Sequence, residues 1–168
     1  VFIKEILGDI GEINTEIKNI IIDNKIRNIF SKEVLKEVNQ IKEKKENKEK
    51  REDYTKPLTF TIDPDNAKDF DDALSFKKLE NNIFEIGVHI ADVSSYVRPD
   101  TELDKEARKR GTSVYLANKV VPMLPEKLSN EICSLEPKKN KRAFSIIFTI
   151  DKEGNILKER AARTIILS

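Results

Sequence analysis

The amino-acid sequence predicts an α+β fold in which helices pack on a mostly antiparallel sheet. Apolar residues alternate with polar residues in three stretches, 58–62, 84–90 and 144–150. A period of two residues is typical of β-strands. Apolar residues recur at helical spacing in 34–41 and 124–135, and a turn at 151–154 extends the third alternating stretch into a hairpin.

The composition is that of a globular chain and excludes a membrane span. The 168 residues allow one or two small domains, and no apolar run reaches the roughly 18 residues that a spanning helix needs. A net charge of +1 gives no general signal for nucleic-acid binding, so such a function must rest on local motifs. The single cysteine, Cys133, cannot form an internal disulfide and no signal peptide is recognisable, so we expect a cytoplasmic protein.

The first 56 residues are expected to form a strand pair, a helix and a linker. Residues 1–22 hold short apolar groups around Gly8 and Gly11, which suit two strands joined by a glycine turn. Ser31 is a suitable N-cap for the helix that follows. From 42 to 53 the apolar residues disappear and the charges are mixed, which favours a solvated linker over an arm that contacts nucleic acid.

The region most suggestive of chemistry is an acidic loop between two apolar segments. Five aspartates fall within ten residues: Asp63, Asp65, Asp69, Asp71 and Asp72. Before them, Leu58, Phe60 and Ile62 predict a half-buried strand with its apolar residues facing the core. Pro64 ends that strand, and an alternating segment resumes at Leu74.

Carboxylates held this close together need a cation or protons. Two like charges about 4 Å apart repel by roughly 4 kcal/mol at an effective dielectric near 20. Carboxylate oxygens favour hard cations such as Mg²⁺ or Mn²⁺ over Zn²⁺. The loop is not an EF-hand, because the ligand, glycine and glutamate positions of that motif fall on Ala67, Lys68 and Leu74. The alternative is an exposed acidic turn.

The acidic loop also resembles a known motif. The run TIDPDNAKDFDDALSF at 61–76 is similar to the catalytic signature of the ribonuclease II and ribonuclease R family, the RNB domain. The similarity continues through VHIADVSSYVRPDTELDKEARKRGTSVYL at 88–116 and VVPMLPEKLSNEICSLEPKKNKRAFSIIFTID at 120–151. In detail the chain resembles ribonuclease R more closely than ribonuclease II.

This resemblance implies a processive, hydrolytic exoribonuclease that uses Mg²⁺, or Mn²⁺ in its place. Such an enzyme degrades single-stranded RNA from its 3′ end to nucleoside 5′-monophosphates. The family's four catalytic and metal-binding aspartates map onto Asp63, Asp69, Asp71 and Asp72, and Asp65 has no fixed counterpart. A tyrosine that stacks near the terminal nucleotide maps onto Tyr115, which suits a degradative enzyme because stacking on an aromatic ring ignores base identity.

The resemblance also predicts the domain organisation. Residues 1–30 are similar to a remnant of a cold-shock, OB-like β-barrel; residues 31–56 form the helix and charged linker; residues 57–168 are the N-terminal portion of the RNB catalytic domain. The family's arginine cluster, further glutamate and S1 domain come later than the matched stretch. We therefore expect a piece of a larger enzyme that is inactive alone. The alternatives are a metal- or RNA-binding piece without turnover and a structural module.

The remaining chemical residues favour structural roles. His89, the only histidine, is more often structural than catalytic at such a position, and Asp92 near the end of the same strand is equally consistent with a structural and a supporting role. A short helix at 102–110 begins with a capping box and stops at Gly111, and its basic end suits the helix dipole better than a phosphate. A second helix is predicted from 125 to 137, with Cys133 as a small buried apolar residue.

Overall fold

The chain forms two compact units in a computed structural model that describes residues 2–3, 5–41 and 50–168. The first unit comprises Val1–Asn39 and Pro99–Pro125, and the second comprises Gln40–Arg98 and Glu126–Ser168. The α and β content and the mainly antiparallel sheet confirm the predicted fold class. Most of the predicted charged linker, residues 42–49, lies outside the described residues.

The second unit contains a six-stranded sheet. The strand order is β1-β8-β7-β4-β3-β2, and every neighbouring pair is antiparallel except β1 with β8. The strands are β1 (Glu52–Tyr54), β2 (Leu58–Phe60), β3 (Asp72–Lys78), β4 (Phe84–Ala91), β7 (Asn140–Ile150) and β8 (Ile156–Leu167). The hairpin predicted around 151–154 is confirmed: the Asp151 carboxylate accepts hydrogen bonds from the backbone N–H groups of Glu153 and Asn155.

The alternation along these strands is as predicted, but the buried face is the opposite one. In β2, Thr59 is buried, whereas Leu58 is 68% exposed and Ile62 beyond the strand is 83% exposed. In β4, His89 is fully buried and Ile90 is half exposed. The packed face carries small and hydroxyl side chains that allow close approach, so the expectation that Leu58, Phe60 and Ile62 face the core is wrong.

Close packing on that face is visible at Gly87. A Cβ atom there would lie 2.5 Å from both the Ser75 hydroxyl and the His89 ring. Ser75, Ser145 and Ala143, on the two neighbouring strands β3 and β7, are all buried. The size of a residue therefore decides whether it fits on the packed face, and apolar character alone does not identify that face.

The first unit contains three helices and a small hairpin. These are α1 (Ile13–Asp23), α2 (Lys32–Gln40, whose last residue belongs to the second unit), α3 (Glu102–Arg110), β5 (Val114–Leu116) and β6 (Lys119–Val121). The prediction of two strands within 1–22 is therefore wrong. This region contains helix α1, and Ile17 and Ile21 are buried on one face of it. They pack with Val121 and, half-buried beside it, Val114.

The cap signals located two helices correctly. The Val34 N–H donates to the Ser31 hydroxyl at the start of α2. In α3 the Asp104 N–H donates to the Thr101 hydroxyl, and Gly111 ends the helix with a φ of 75°. A glycine suits this left-handed conformation because it has no Cβ atom.

The helix predicted at 125–137 is shorter than expected. The structure has a six-residue π-helix, Lys127–Ile132. The apolar stripe is nevertheless buried, at Leu124, Leu128, Ile132 and Leu135, and Cys133 is buried as predicted. Burial raises the pKa of the Cys133 thiol to about 12, so this side chain is a packing residue. None of the described helices is long and apolar enough to cross a membrane.

Candidate active site

The acidic loop connects two hydrogen-bonded strands of the sheet. It begins after Phe60 at the end of β2 and finishes at Asp72, the first residue of β3. Leu74 and Phe60 are direct partners across this pair of strands. Both ends of the loop are therefore held at the same end of the sheet, which keeps the aspartates near one another.

Backbone hydrogen bonds shape the loop. The Ala67 N–H donates to the Pro64 carbonyl at 2.9 Å, which closes a turn between Asp63 and Asp69. At the far end, the Ala91 N–H donates to the Asp71 carbonyl at 2.9 Å. Strand β4 thus fixes the backbone at Asp71, where the loop joins β3.

The Asp71 carboxyl is influenced by the charges of the other three predicted aspartates. The pKa of the Asp71 carboxyl is raised, first by the protein packed around it and then by the negative charges of Asp69, Asp72 and Asp63. Asp71 is exposed to solvent, so burial is not the only cause of its raised pKa. Asp65 does not contribute to this shift. Three of the predicted aspartates thus act electrostatically on the fourth, and the role of the four as metal ligands stays a prediction.

A buried acceptor supports the same interpretation. The Oδ2 atom of Asp63 is shielded from solvent and accepts no hydrogen bond from the described part of the chain. A buried carboxylate oxygen without a partner is costly, and a hard cation would satisfy it. The four carboxylates thus fit Mg²⁺ or Mn²⁺ by their chemistry, although no three acidic, histidine or cysteine side chains in the described ranges already stand in metal-holding geometry.

Asp92 lies one residue beyond the Ala91 contact and is tied to a buried arginine. Its Oδ2 atom accepts from Arg51 Nη2 at 2.5 Å and from the Ser95 hydroxyl at 2.7 Å. Burial would raise the pKa of Asp92, but the hydrogen bonds from Ser94, Arg51 and Ser95 outweigh it and lower the pKa to about 2. Asp92 is therefore a charged anchor of the fold, and its supporting role for the neighbouring loop stays a prediction.

Arg51 was missed by the sequence reasoning. Its side chain is 0% exposed and also donates to the Ala143 carbonyl at 3.4 Å. It lies in the charged stretch 42–53, where mixed signs favoured a solvated linker. Only its position immediately before β1 sets it apart, and the pairing of β1 with β8 is visible only in the structure.

His89 has the structural role that the sequence favoured. Its ring nitrogens hydrogen-bond to the Ser145 hydroxyl at 2.6 Å and the Ser75 hydroxyl at 2.8 Å. Burial lowers the pKa of His89 to about 4, so the ring is neutral near pH 7. The Tyr54 ring lies against it, with a centroid distance of 5.6 Å.

Tyr115 belongs to the first unit, whereas the aspartates belong to the second. It lies in β5 opposite Val120 and is 68% exposed. The basic end of α3 in the same unit is largely paired: Arg108 contacts Asp104, and Arg110 contacts Glu106, each at 3.0 Å. These pairs favour the predicted structural role for that end of the helix, and the role of Tyr115 in RNA binding stays a prediction.

Comparison with known proteins identifies the family. The RNB domain profile matches residues 51–168, and the chain belongs to the RNB domain family. It is 44% identical over 166 residues to ribonuclease R 1 of Lactococcus lactis, an alignment that covers 98% of this chain and 20% of that relative.

Solved structures agree with the sequence relatives. RNase R of Mycoplasma genitalium in complex with ribose-methylated single-stranded RNA superposes with a TM-score of 0.90 at 34% identity, covering 98% of this chain and 26% of that one. The same protein in complex with double-stranded RNA gives a TM-score of 0.91 at 34% identity, covering 98% and 30%. The chain thus spans between a fifth and a third of the length of the proteins in these three comparisons.

Proposed function

We propose that this chain supplies the metal-binding aspartates of a hydrolytic exoribonuclease that degrades RNA processively from its 3′ end. The proposed products are nucleoside 5′-monophosphates, and the proposed cofactor is Mg²⁺, with Mn²⁺ as a substitute. The observation that carries the proposal is the raised pKa of Asp71, which is caused first by burial and then by the charges of Asp69, Asp72 and Asp63. Membership of the RNB domain family and the RNase R relatives support the RNA substrate.

The four carboxylates have separable tasks in this proposal. Asp63 offers a buried, unpartnered oxygen, which suits a fixed ligand. Asp71 and Asp72 are solvent-accessible and lie where the loop joins β3. They could therefore hold a shared cation that also binds an incoming phosphate. A bound Mg²⁺ would polarise the phosphate and lower the pKa of a bound water.

Neutralisation also explains how an acidic loop can accept a polyanion. Without a cation, four carboxylates would repel an RNA phosphate, and the negative charges of Asp69, Asp72 and Asp63 add to burial in raising the pKa of Asp71. With a cation in place, the same carboxylates orient the scissile phosphate relative to the loop. Tyr115, if it meets the RNA as the family resemblance implies, would add sequence-independent stacking of about 1 to 3 kcal/mol per base.

A chimera tests the proposal with a full-length framework. Residues 51–168 of this chain would replace the aligned segment of the Lactococcus lactis ribonuclease R 1. We expect the chimera to shorten 5′-labelled single-stranded RNA from its 3′ end and to release nucleoside 5′-monophosphates when Mg²⁺ is present. Asp71→Asn in the chimera should lower the rate on the order of 10²- to 10³-fold, because charge stabilisation at the phosphate is lost.

Asp65→Asn is the matched control, because it removes the same charge from the same loop without touching the four-carboxylate group. It should leave the rate unchanged. Equal losses in the Asp65 and Asp71 variants, or a folded chimera whose activity survives Asp71→Asn, would overturn the proposal. The isolated chain gives a second result, since the family resemblance predicts that it binds Mn²⁺ without releasing monophosphates.

The partial coverage of the relatives favours one alternative, because the chain aligns with 20% of ribonuclease R 1 of Lactococcus lactis. In that alternative the chain binds a cation or RNA but contributes no turnover. The chimera separates the two, because a metal-binding loop without catalytic competence would leave the chimera folded, metal-bound and inactive.

A further inference from the structure

Ser134 touches the acidic loop from the segment that follows the π-helix. Its side chain is completely buried. The Ser134 hydroxyl donates to the Lys68 carbonyl at 2.8 Å and accepts from the Phe70 N–H at 3.1 Å. These two groups belong to the two peptide units on either side of Asp69, so one hydroxyl holds both flanks of a single aspartate.

The neighbouring residue strengthens this contact. The Leu135 N–H donates to the Phe70 carbonyl at 2.9 Å, and the Leu135 side chain is fully buried. Residues 134–135 therefore bind three backbone groups of the acidic loop. A loop of this length between two strands would otherwise be free to rotate the peptide units that flank Asp69.

The segment that presents Ser134 is itself fixed. Lys141 in β7 is 4% exposed, and its ammonium group donates to the carbonyls of Glu131 and Ile132, just before Ser134. The same ammonium group lies 3.2 Å from the Glu136 carboxylate, just after it. Strand β7 thus anchors the chain on both sides of Ser134, and this fixes the position of the Ser134 hydroxyl beside the acidic loop.

We propose that Ser134 is a positioning residue for the cation site, and that its hydroxyl sets the placement of the Asp69 carboxylate relative to Asp63, Asp71 and Asp72. This inference rests on the metal-binding function proposed above. Groups that orient metal ligands without touching the metal commonly change metal affinity by about 10- to 100-fold when they are removed. Ser134 reaches the site through the backbone of a ligand, so it is expected to act on the cation affinity and to make no contact with RNA.

Ser145 provides a matched control. It is also completely buried in the second unit, and its hydroxyl also makes two side-chain hydrogen bonds, to His89 at 2.6 Å and to Thr164 at 2.6 Å. Those bonds do not involve the acidic loop. Ser145→Ala therefore removes an equivalent buried hydroxyl from the same unit and reports the effect of general destabilisation.

The experiment compares Mn²⁺ affinity, by calorimetric titration at one fixed pH, with thermal unfolding in the absence of metal. We expect Ser134→Ala to weaken Mn²⁺ binding about tenfold or more. Ser145→Ala should lower the unfolding temperature while leaving Mn²⁺ affinity at the wild-type value. Ser134→Cys, which keeps the side-chain size with a weaker hydrogen-bonding group, should fall between wild type and Ser134→Ala and serves in its place if the alanine variant does not fold.

Two results would refute the positioning role while leaving the proposed function intact. In the first, Ser134→Ala and Ser134→Cys keep the wild-type Mn²⁺ affinity although Asp71→Asn loses binding. In the second, Ser134→Ala and Ser145→Ala lose Mn²⁺ affinity equally. A wild-type chain that takes up no Mn²⁺ would instead overturn the proposed metal site itself. The two failures are therefore distinguishable in one set of titrations.

Discussion

Acidic side chains are accommodated in opposite ways in helix α3 and in the loop between β2 and β3. In α3, Glu106 is buried between two arginines, with contacts of 2.8 Å to Arg27 and 3.0 Å to Arg110. The hydrogen bond from Arg27 is the main reason that the pKa of Glu106 is lowered. In the loop, the pKa of Asp71 is raised, first by burial and then by the negative charges of three other aspartates.

This difference distinguishes acidic side chains that stabilise the fold from acidic side chains that are available to bind a ligand. A carboxylate paired with arginine is already neutralised, so removing it costs stability. Carboxylates that repel one another cost stability while they are present, and such strain is typical of functional sites. The two regions should therefore respond to neutral substitutions with opposite signs.

The largest expected effect is at the paired acid. Glu106→Gln would leave Arg110, whose side chain is 3% exposed, without its carboxylate partner. We expect a loss of about 3 kcal/mol in the free energy of unfolding, at the low end for a broken buried pair, because Arg110 also donates to the carbonyls of Pro122 and Ile29. Urea unfolding at neutral pH measures the loss.

Glu102→Gln in the same helix is the control for that substitution. Glu102 and its partner Lys105 are both more than half exposed, so the loss should stay within about 0.5 kcal/mol. A Glu106→Gln variant as stable as Glu102→Gln would show that the buried pairing does not set the response, and the contrast between the two regions would fail.

A second effect concerns His89, a buried ionisable group whose partners are hydroxyls. Because burial lowers its pKa to about 4 in the folded chain, the unfolded chain binds more protons between about pH 4 and pH 6.5. Stability therefore falls as the pH falls through that window. The shift corresponds to a loss of about 2 kcal/mol between pH 7 and pH 5, measurable by urea unfolding at each pH.

His89→Gln removes the titrating ring and should flatten the pH dependence in this window. His89 is the only histidine, so its ring can also be followed directly by NMR in the wild-type chain, whatever the stability of the variant. Titration of the ring near its ordinary pKa of about 6.5 would contradict the buried, neutral state.

The sequence predicted those features that depend on local chemistry. Helix α3 was located from Thr101 and Gly111, because caps act through bonds within a few residues. The strands on both sides predicted that the loop aspartates lie close together, and the choice of four of them came from the family resemblance and stays a prediction. The structural role of His89 followed from its isolation in the sequence, and the burial of its ring agrees with it.

Features that depend on distant partners were not predictable. The strand alternation gave two faces for β2 and β4 without saying which one packs, since that depends on Gly87 meeting Ser75 and on His89 meeting Ser145 across strands. Strands were predicted within 1–22 from short apolar groups around Gly8 and Gly11, whereas Ile17 and Ile21 pack at helical spacing in α1. The supports around the acidic loop, including Ser134, come from residues far away in the chain.

The most direct test of the cation site is the thermal unfolding of wild type, Asp71→Asn and Asp65→Asn with and without Mn²⁺. Without metal, Asp71→Asn should unfold about 2 °C higher than wild type, because one repelling charge is gone. With Mn²⁺, wild type and Asp65→Asn should gain stability by linkage, and Asp71→Asn should gain little. Equal gains in wild type and Asp71→Asn, or no gain in any of the three chains, would contradict a cation site built from these aspartates.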